Sequence, residues 1–368
     1  MDLVNATAMR AGYAQGLRPD GRELLVVVVK GTFVIPGVGA EAPVLAREQV
    51  ELVDADVFAG EPGYSAPMYE IDFAPRKPRC DVLLHGSAYA PGGRAVERVT
   101  VSLRVGTWAK SFDVVGDRTW QVGALAISAS RPVPFVSKPF SYGQAFGGID
   151  RRDGELQVQR WYPANHAGVG YHEDLSAANV HGRPLPNTEE SGRVVSSPNG
   201  RYRPMALGPI GRAWQPRAGL AGTYDAEWLD DVFPFLPADF QEAYYQAAPP
   251  DQQIDYLQGG EEVELTNLTP AGRTRFRLPT WNLPVSFLLR DGGEEVKAPC
   301  CDTLVVEPDR GRFTLTWRTQ RTLQRNLFEV GQVVVGQPSR AWQHARQSGK
   351  TYYPSLQQLA QARRTGSD

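Results

Sequence analysis

Leu24-Leu-Val-Val-Val-Val-Lys-Gly-Thr-Phe33 is the stretch that decides the fold. Six apolar residues run from Leu24 to Val29, and Val34 and Ile35 carry the segment on to Pro36. β-branched side chains are stiff about χ1 and suit a pleated surface, so the stretch reads as a strand. Apolarity without alternation predicts burial on both faces, that is, a central strand. Lys30 closes the apolar run far short of the roughly 20 residues that a membrane helix needs. Pro19-Asp20-Gly21 marks a turn just before it.

A central strand needs neighbours, and both ends of the chain offer them. Asp81-Val-Leu-Leu-His85 is a second buried run, followed by a turn at Pro91-Gly92-Gly93. Val99, Val101, Leu103 and Val105 alternate with Thr100, Ser102 and Arg104, a period of two with one face inward. Gly106-Thr107 turns the chain, and Trp108 to Val115 returns it as a hairpin. In the last third, Glu262 to Leu265, Thr274 to Leu278 and Pro284 to Arg290 read as strands. Cys301 to Glu307 and Arg312 to Thr319 bracket the hairpin turn Pro308-Asp309-Arg310-Gly311. Val333 to Val335 adds a short strand.

Between these two strand-rich regions the periodicity disappears. From Ser128 to Asp255 the chain is rich in Gly, Pro, Asn, Trp and Tyr, too aromatic for a flexible linker. It reads as long ordered loops pinned to a rigid frame, and such loops are often functional. Pro237 to Ala247 predicts one short helix, and Ser355 to Arg364 an amphipathic one. The expected architecture is mainly β: an antiparallel, sandwich-like framework with long ordered loops and a few short helices. The division is an N-terminal β region at 1–127, a loop region at 128–255, a C-terminal β region at 256–338 and a tail at 339–368.

Composition narrows the function. The 368 residues are 42% hydrophobic and 22% charged, enough for a real core. A net charge of -2 gives no long-range pull on nucleic acid or anionic lipid. The Met-Asp-Leu-Val-Asn start carries no basic signal-peptide region, which predicts a cytoplasmic protein. Cys80, Cys300 and Cys301 are an odd set with two adjacent members, a poor disulfide framework, so reduced thiols are expected.

The candidate chemistries are thin. His166, His172 and His181 lie close in sequence with Glu173 and Asp174 between, but their spacing fits no helix or hairpin ligand pattern. Ser65 and Ser141 have no nucleophile elbow and no histidine nearby in sequence. Asp230-Asp231 and Glu261-Glu262 would point to opposite faces of a strand. Asp117, Asp225 and Asp251 could meet only by converging from separate loops. No phosphate-binding loop is present. No metal or cofactor is expected. Aromatic loop residues remain. Most should pack the loops onto the frame, but Trp, Tyr and Arg also dominate the energetics of protein interfaces. The candidate protein-binding residues are Arg118, Trp120, Phe146, Trp161, Trp214, Arg217, Tyr224 and Trp228.

Several ordered stretches carry a resemblance. They are Leu24 to Phe33, Asp54-Ala-Asp-Val57 with Gly60-Glu61, Asp72-Phe-Ala-Pro-Arg-Lys-Pro78, Asp81-Val82, Ala88 to Gly93 and Gly116-Asp-Arg-Thr-Trp120. Further along come Ala145 to Gly148, Leu185-Pro-Asn187, Gly208-Pro209, Gly222-Thr-Tyr-Asp225, Trp228, Leu236-Pro-Ala-Asp-Phe240, Ala247 to Gln252, Asn267-Leu268 and Leu278-Pro279. Each is weak alone, but the ordered set resembles the bacterial accessory family known as domain of unknown function 2169, associated with type VI secretion. Ala66 and Cys80 depart from the small polar residues expected there, and a pentapeptide-repeat extension found in some similar proteins is missing.

The resemblance implies an adaptor or loading chaperone. Its partners would be a type VI effector, bound at its N-terminal or PAAR region, and the VgrG spike. It carries over no catalytic residue. Two alternatives stand beside it: a carboxylate-dependent hydrolase, and a structural component of the secreted spike.

Overall fold

The structure is a computed structural model that describes residues 1–37, 42–150 and 160–348. It is mainly β and divides into two compact units that interleave along the chain.

The larger unit spans Met9–Trp281 and Cys300–Gln324. Its principal strands are β1 (Arg10–Leu17), β2 (Glu23–Val34), β3 (Cys80–Leu84), β4 (Cys300–Glu307) and β5 (Arg312–Thr322). The sheet runs β3-β4-β5-β2-β1, with Gln253–Ile254 added outside β3 and Val44–Leu45 beside β2. Only β3 and β4 pair in parallel. Thus β2 is central, and Leu24 to Val29 are buried on both faces, as their unbroken apolarity predicts. The pairing of β2 with β5 also joins, in one sheet, the two β regions that lie at opposite ends of the sequence.

A second sheet pairs Thr188–Glu189, Trp108–Val115, Arg98–Val105, Glu262–Thr266 and Arg273–Arg277, antiparallel throughout. Val99, Val101, Leu103 and Val105 point inward, following their alternation. Phe276 of this sheet stacks on Phe313 of β5 with centroids 5.1 Å apart, so the two sheets meet through their apolar sides.

The segment Asp72 to Pro78 crosses the main sheet and is held by buried charge. Lys30 pairs with Asp72. Lys77 donates to Asp81 at 2.8 Å and to Thr303 at 3.0 Å. Arg318 bonds Asp302 at 2.6 Å and the Ala74 carbonyl at 2.9 Å. Asp81 also accepts from the Ala247 and Ala248 backbone N–H groups, at 2.8 and 3.2 Å. Each of these charges is out of water and would be costly unpaired.

The smaller unit comprises Met1–Ala8, Asn282–Pro299 and the described part of 325–368. Its four strands run in the order Asp2–Asn5, Val330–Val335, Val285–Leu289, Glu294–Lys297. The N-terminal strand therefore pairs with the C-terminal region, Asp2 opposite Gln332. A helix at Arg340–Gln347, unforeseen in the sequence, starts at Ser339, whose Oγ accepts from the Trp342 N–H. The expected helix at Ser355 to Arg364 falls outside the described residues.

The expected helix at Pro237 to Ala247 is corrected to a single 3-10 turn, Glu242–Tyr245. Tertiary bonds take the backbone groups that a helix would use. Arg217 Nε donates to the Tyr244 carbonyl at 2.8 Å, and the Ala247 N–H goes to Asp81. Pro91 to Gly93, expected as a hairpin turn, forms a 3-10 turn instead. The strand before it, Gly86–Tyr89, pairs with Ser137–Phe140. Cys80 and Cys301 are buried free thiols, pushed well above the ordinary range by burial, and Cys300 is a free thiol on the surface. Among the described residues no helix is long and apolar enough to cross a membrane.

Candidate docking surface

The loop region holds two kinds of aromatic residue, and burial separates them. Trp120 is fully buried and donates its indole N–H to the Gly170 carbonyl at 3.1 Å. Phe146 is enclosed by the rings of Tyr162 and Tyr202, at 5.0 and 4.8 Å between centroids. Trp214 packs edge-on against Tyr142. Arg118 is buried against Glu189 at 2.8 Å, and Arg217 against Glu70. These five were expected as exposed docking residues, and the structure corrects that. Trp120, Arg118 and Arg217 make hydrogen bonds inside, although Arg118 Nε has no partner, and all five pack the loops onto the frame.

Trp161, Tyr224 and Trp228 reach the surface, Trp228 only in part. Trp161 stands apart, its ring against His166 at 5.5 Å. Tyr224 and Trp228 belong to a denser feature, a promontory formed by Tyr224 to Phe235. Its apolar side chains face solvent: Tyr224 is 52%, Leu229 58%, Phe233 62% and Phe235 45% exposed. Elsewhere among the described residues exposed apolar side chains are mostly scattered, which is ordinary. Concentration within twelve residues is not, and such patches mark interaction sites.

Local chemistry makes the promontory rigid. Asp225 Oδ1 accepts from the Trp228 N–H at 2.9 Å, starting a wide helical turn over Trp228–Val232. The Phe233 N–H closes that turn on the Trp228 carbonyl at 2.8 Å. The Trp228 indole N–H reaches the Phe235 carbonyl at 2.9 Å. The Trp228 ring meets Tyr224 on one side and Phe233 on the other, at 4.7 and 5.6 Å. At the base, Asp239 accepts from the N–H and hydroxyl of Thr223, at 2.9 and 2.8 Å. Those bonds hold the Asp239 carboxyl below the ordinary carboxylate range. Gly222 sits at φ +84°, and a Cβ there would fall 2.9 Å from both Asp239 Oδ1 and Pro237 Cβ. The stretches Gly222 to Asp225 and Leu236 to Phe240 therefore build the pedestal on which the exposed rings stand.

The surface is also acidic. Asp225, Glu227, Asp230 and Asp231 are exposed, and none has an ion pair among the described residues. Leu229 and Phe235 were not singled out from the sequence, and Phe233 stood among its loop aromatics without being chosen as a docking candidate. Their signal was large apolar residues set among Asp, Glu and Pro, where no regular element could bury them.

The carboxylates considered for hydrolysis occupy separate places. Asp117 pairs with Lys138 at 2.8 Å, Asp225 caps the promontory turn, and Asp251 is held by Lys110 and Arg203 at 3.0 and 2.6 Å. The loop histidines are also dispersed. His166 lies by Trp161, His172 is 3.8 Å from Asp150, and His181 Nδ1 accepts from the Val122 N–H. Among the described residues no cluster of three His, Cys, Asp or Glu is placed to hold a metal ion.

No curated protein and no solved structure matches the chain. A family model described as "uncharacterized protein conserved in bacteria" matches residues 20–318, which takes in the second sheet, the main sheet apart from β1 and the end of β5, and the whole promontory. The chain therefore belongs to that bacterial family, DUF2169.

Proposed function

We propose that the chain is a type VI secretion adaptor, acting in the cytoplasm, that holds a cognate effector through the Tyr224 to Phe235 promontory and hands it to the VgrG spike. The observation that carries the reading is the exposure of Leu229, Phe233 and Phe235 on a turn that is braced from below. A rigid apolar projection loses little entropy when it docks, and so gives affinity to a protein partner. Its carboxylates would set orientation and encounter rate more than strength. The type VI assignment itself rests on the family resemblance, which also suggests the effector's N-terminal or PAAR region as the bound part.

The test is reconstitution. The purified chain, mixed at about 10 μM with a PAAR-bearing type VI effector from the same bacterium, should co-elute from gel filtration as one complex. Two separate peaks would contradict the reading. Secreted fractions discriminate a further role: an adaptor stays in the cell pellet, whereas a spike component appears in the medium.

A further inference from the structure

We propose that the cavity between the main sheet and the chain from Val50 to Lys77 is a binding site for a short aliphatic carboxylate of about five carbons. The site shares no residue with the promontory and does not depend on the proposed function.

Strand register dictates what faces this cavity. Lys30 of β2 lies opposite Thr316 of β5, Thr316 opposite Thr303 of β4, and Thr303 opposite Asp81 of β3. Residues in such a row point to one side of a sheet, and so do residues two along each strand. Thr314 therefore shares this side, with Val305 and Leu83 in its row. Lys30 reaches Asp72 of the crossing segment, so this is the side that the segment covers. The opposite side of β5, with Phe313, meets the second sheet. Between the rows and the covering chain lies a space of about 130 Å³.

Unused donors line part of that space. An ammonium has three N–H groups. Lys30 gives one to Asp72, and Lys77 gives two, to Asp81 and Thr303. Both lysines are 5% exposed, so bulk water does not take the rest. Thr314 and Thr316 are 4% and 1% exposed, and among the described residues no hydrogen bond engages either hydroxyl. Buried donors without partners are rare. The lining carboxylates, by contrast, already have cations: Glu70 has Arg217, Asp72 has Lys30, and Glu307 has Arg310 and Arg312. The surplus is in donors, so the occupant must accept.

Val50, Val53, Leu83 and Val305 make the rest of the wall apolar. Water would satisfy the donors and leave that wall without contacts. A carboxylate on a short chain answers both, with its oxygens on the lysines and threonines and its methylenes on the valines and leucine. A space of this size takes a ligand about as large as benzene. Of the lining residues Arg310 alone is exposed, which puts the mouth beside the turn Pro308 to Gly311.

The probe is sodium pentanoate, added to the full-length protein with isotope-labelled threonine methyl groups. The expected result is a saturable shift of the Thr314 and Thr316 methyl signals. The dissociation constant should be about 1 mM or lower, the range open to a ligand of about seven non-hydrogen atoms. Pentylammonium has the same length but brings donors to donors, so it should leave both signals in place. Thr316→Val keeps the side-chain shape and removes one hydroxyl. It should weaken pentanoate binding roughly tenfold, read at Thr314. Should that variant not fold, Thr314→Val takes its place, read at Thr316. The proposal is overturned if pentanoate moves neither signal up to about 10 mM, which would assign the cavity to water alone. It is also overturned if pentylammonium moves both signals equally, or if the folded variant binds pentanoate as tightly as wild type.

Discussion

Replacing Arg217 by alanine should destabilise the larger unit severely while leaving the docking surface chemically untouched. The guanidinium is buried and satisfied on every side. It pairs with Glu70, with Nη2 to Oε2 at 2.8 Å, and donates to the carbonyls of Ile210 and Tyr244 at 2.9 and 2.8 Å. Truncation would leave the Glu70 carboxylate buried with only Arg212, 3.5 Å away and shared with Asp56. Breaking a buried pair by removing one partner costs about 3–5 kcal/mol, and the remaining Arg212 contact places this case near the lower end. At about 2 °C per kcal/mol for a unit of this size, the melting temperature should fall by roughly 6 °C. Combining Glu70→Ala with Arg217→Ala should cost about 2 kcal/mol less than the two single losses added together, because the orphaned charge is gone. Differential scanning fluorimetry and urea titration read both values. A drop below about 2 °C, or strict additivity, would show that Arg217 is not a structural clamp.

Other expectations follow from the same contacts. Burial pushes Lys110 down to about 8 from its ordinary 10.5, so between these values the unfolded chain binds more protons and stability rises with pH. Lys110→Met removes that contribution, so melting curves at pH 7 and 9.5 should show wild type gaining on the variant by roughly 1–3 kcal/mol, whereas parallel shifts would refute it. Phe233→Ala should leave stability within about 0.5 kcal/mol of wild type, since the ring is exposed; a larger loss by urea titration would mean that the promontory is part of the core. Gly222→Ala should loosen the promontory, seen as faster proteolysis between Thr223 and Phe235, because φ +84° and the Asp239 contact both oppose a Cβ; an unchanged digestion pattern would count against the pedestal.

Most of the frame was legible in the sequence because burial writes a pattern. Leu24 to Val29, the alternation from Val99 to Val105 and the turn at Pro308 to Gly311 each state their surroundings locally. Edge strand β1, Arg-Ala-Gly-Tyr-Ala-Gln-Gly-Leu, states nothing, because its partly open position imposes no alternation and its glycines serve loop packing. The helix foreseen at Pro237 to Ala247 failed because distant groups, Arg217 and Asp81, claimed its backbone. The site followed the same logic. Composition marked the aromatic region, but only burial could sort Trp120, Phe146 and Trp214, which hold the loops, from Tyr224 and Trp228, which help to carry the exposed face.

The most direct test of the docking account is isothermal titration of the effector into wild type and into the Leu229→Ala/Phe233→Ala variant. Truncating two central apolar anchors should weaken binding at least about 100-fold with the fold intact by circular dichroism. Equal affinity in a folded variant would place the effector somewhere other than the promontory.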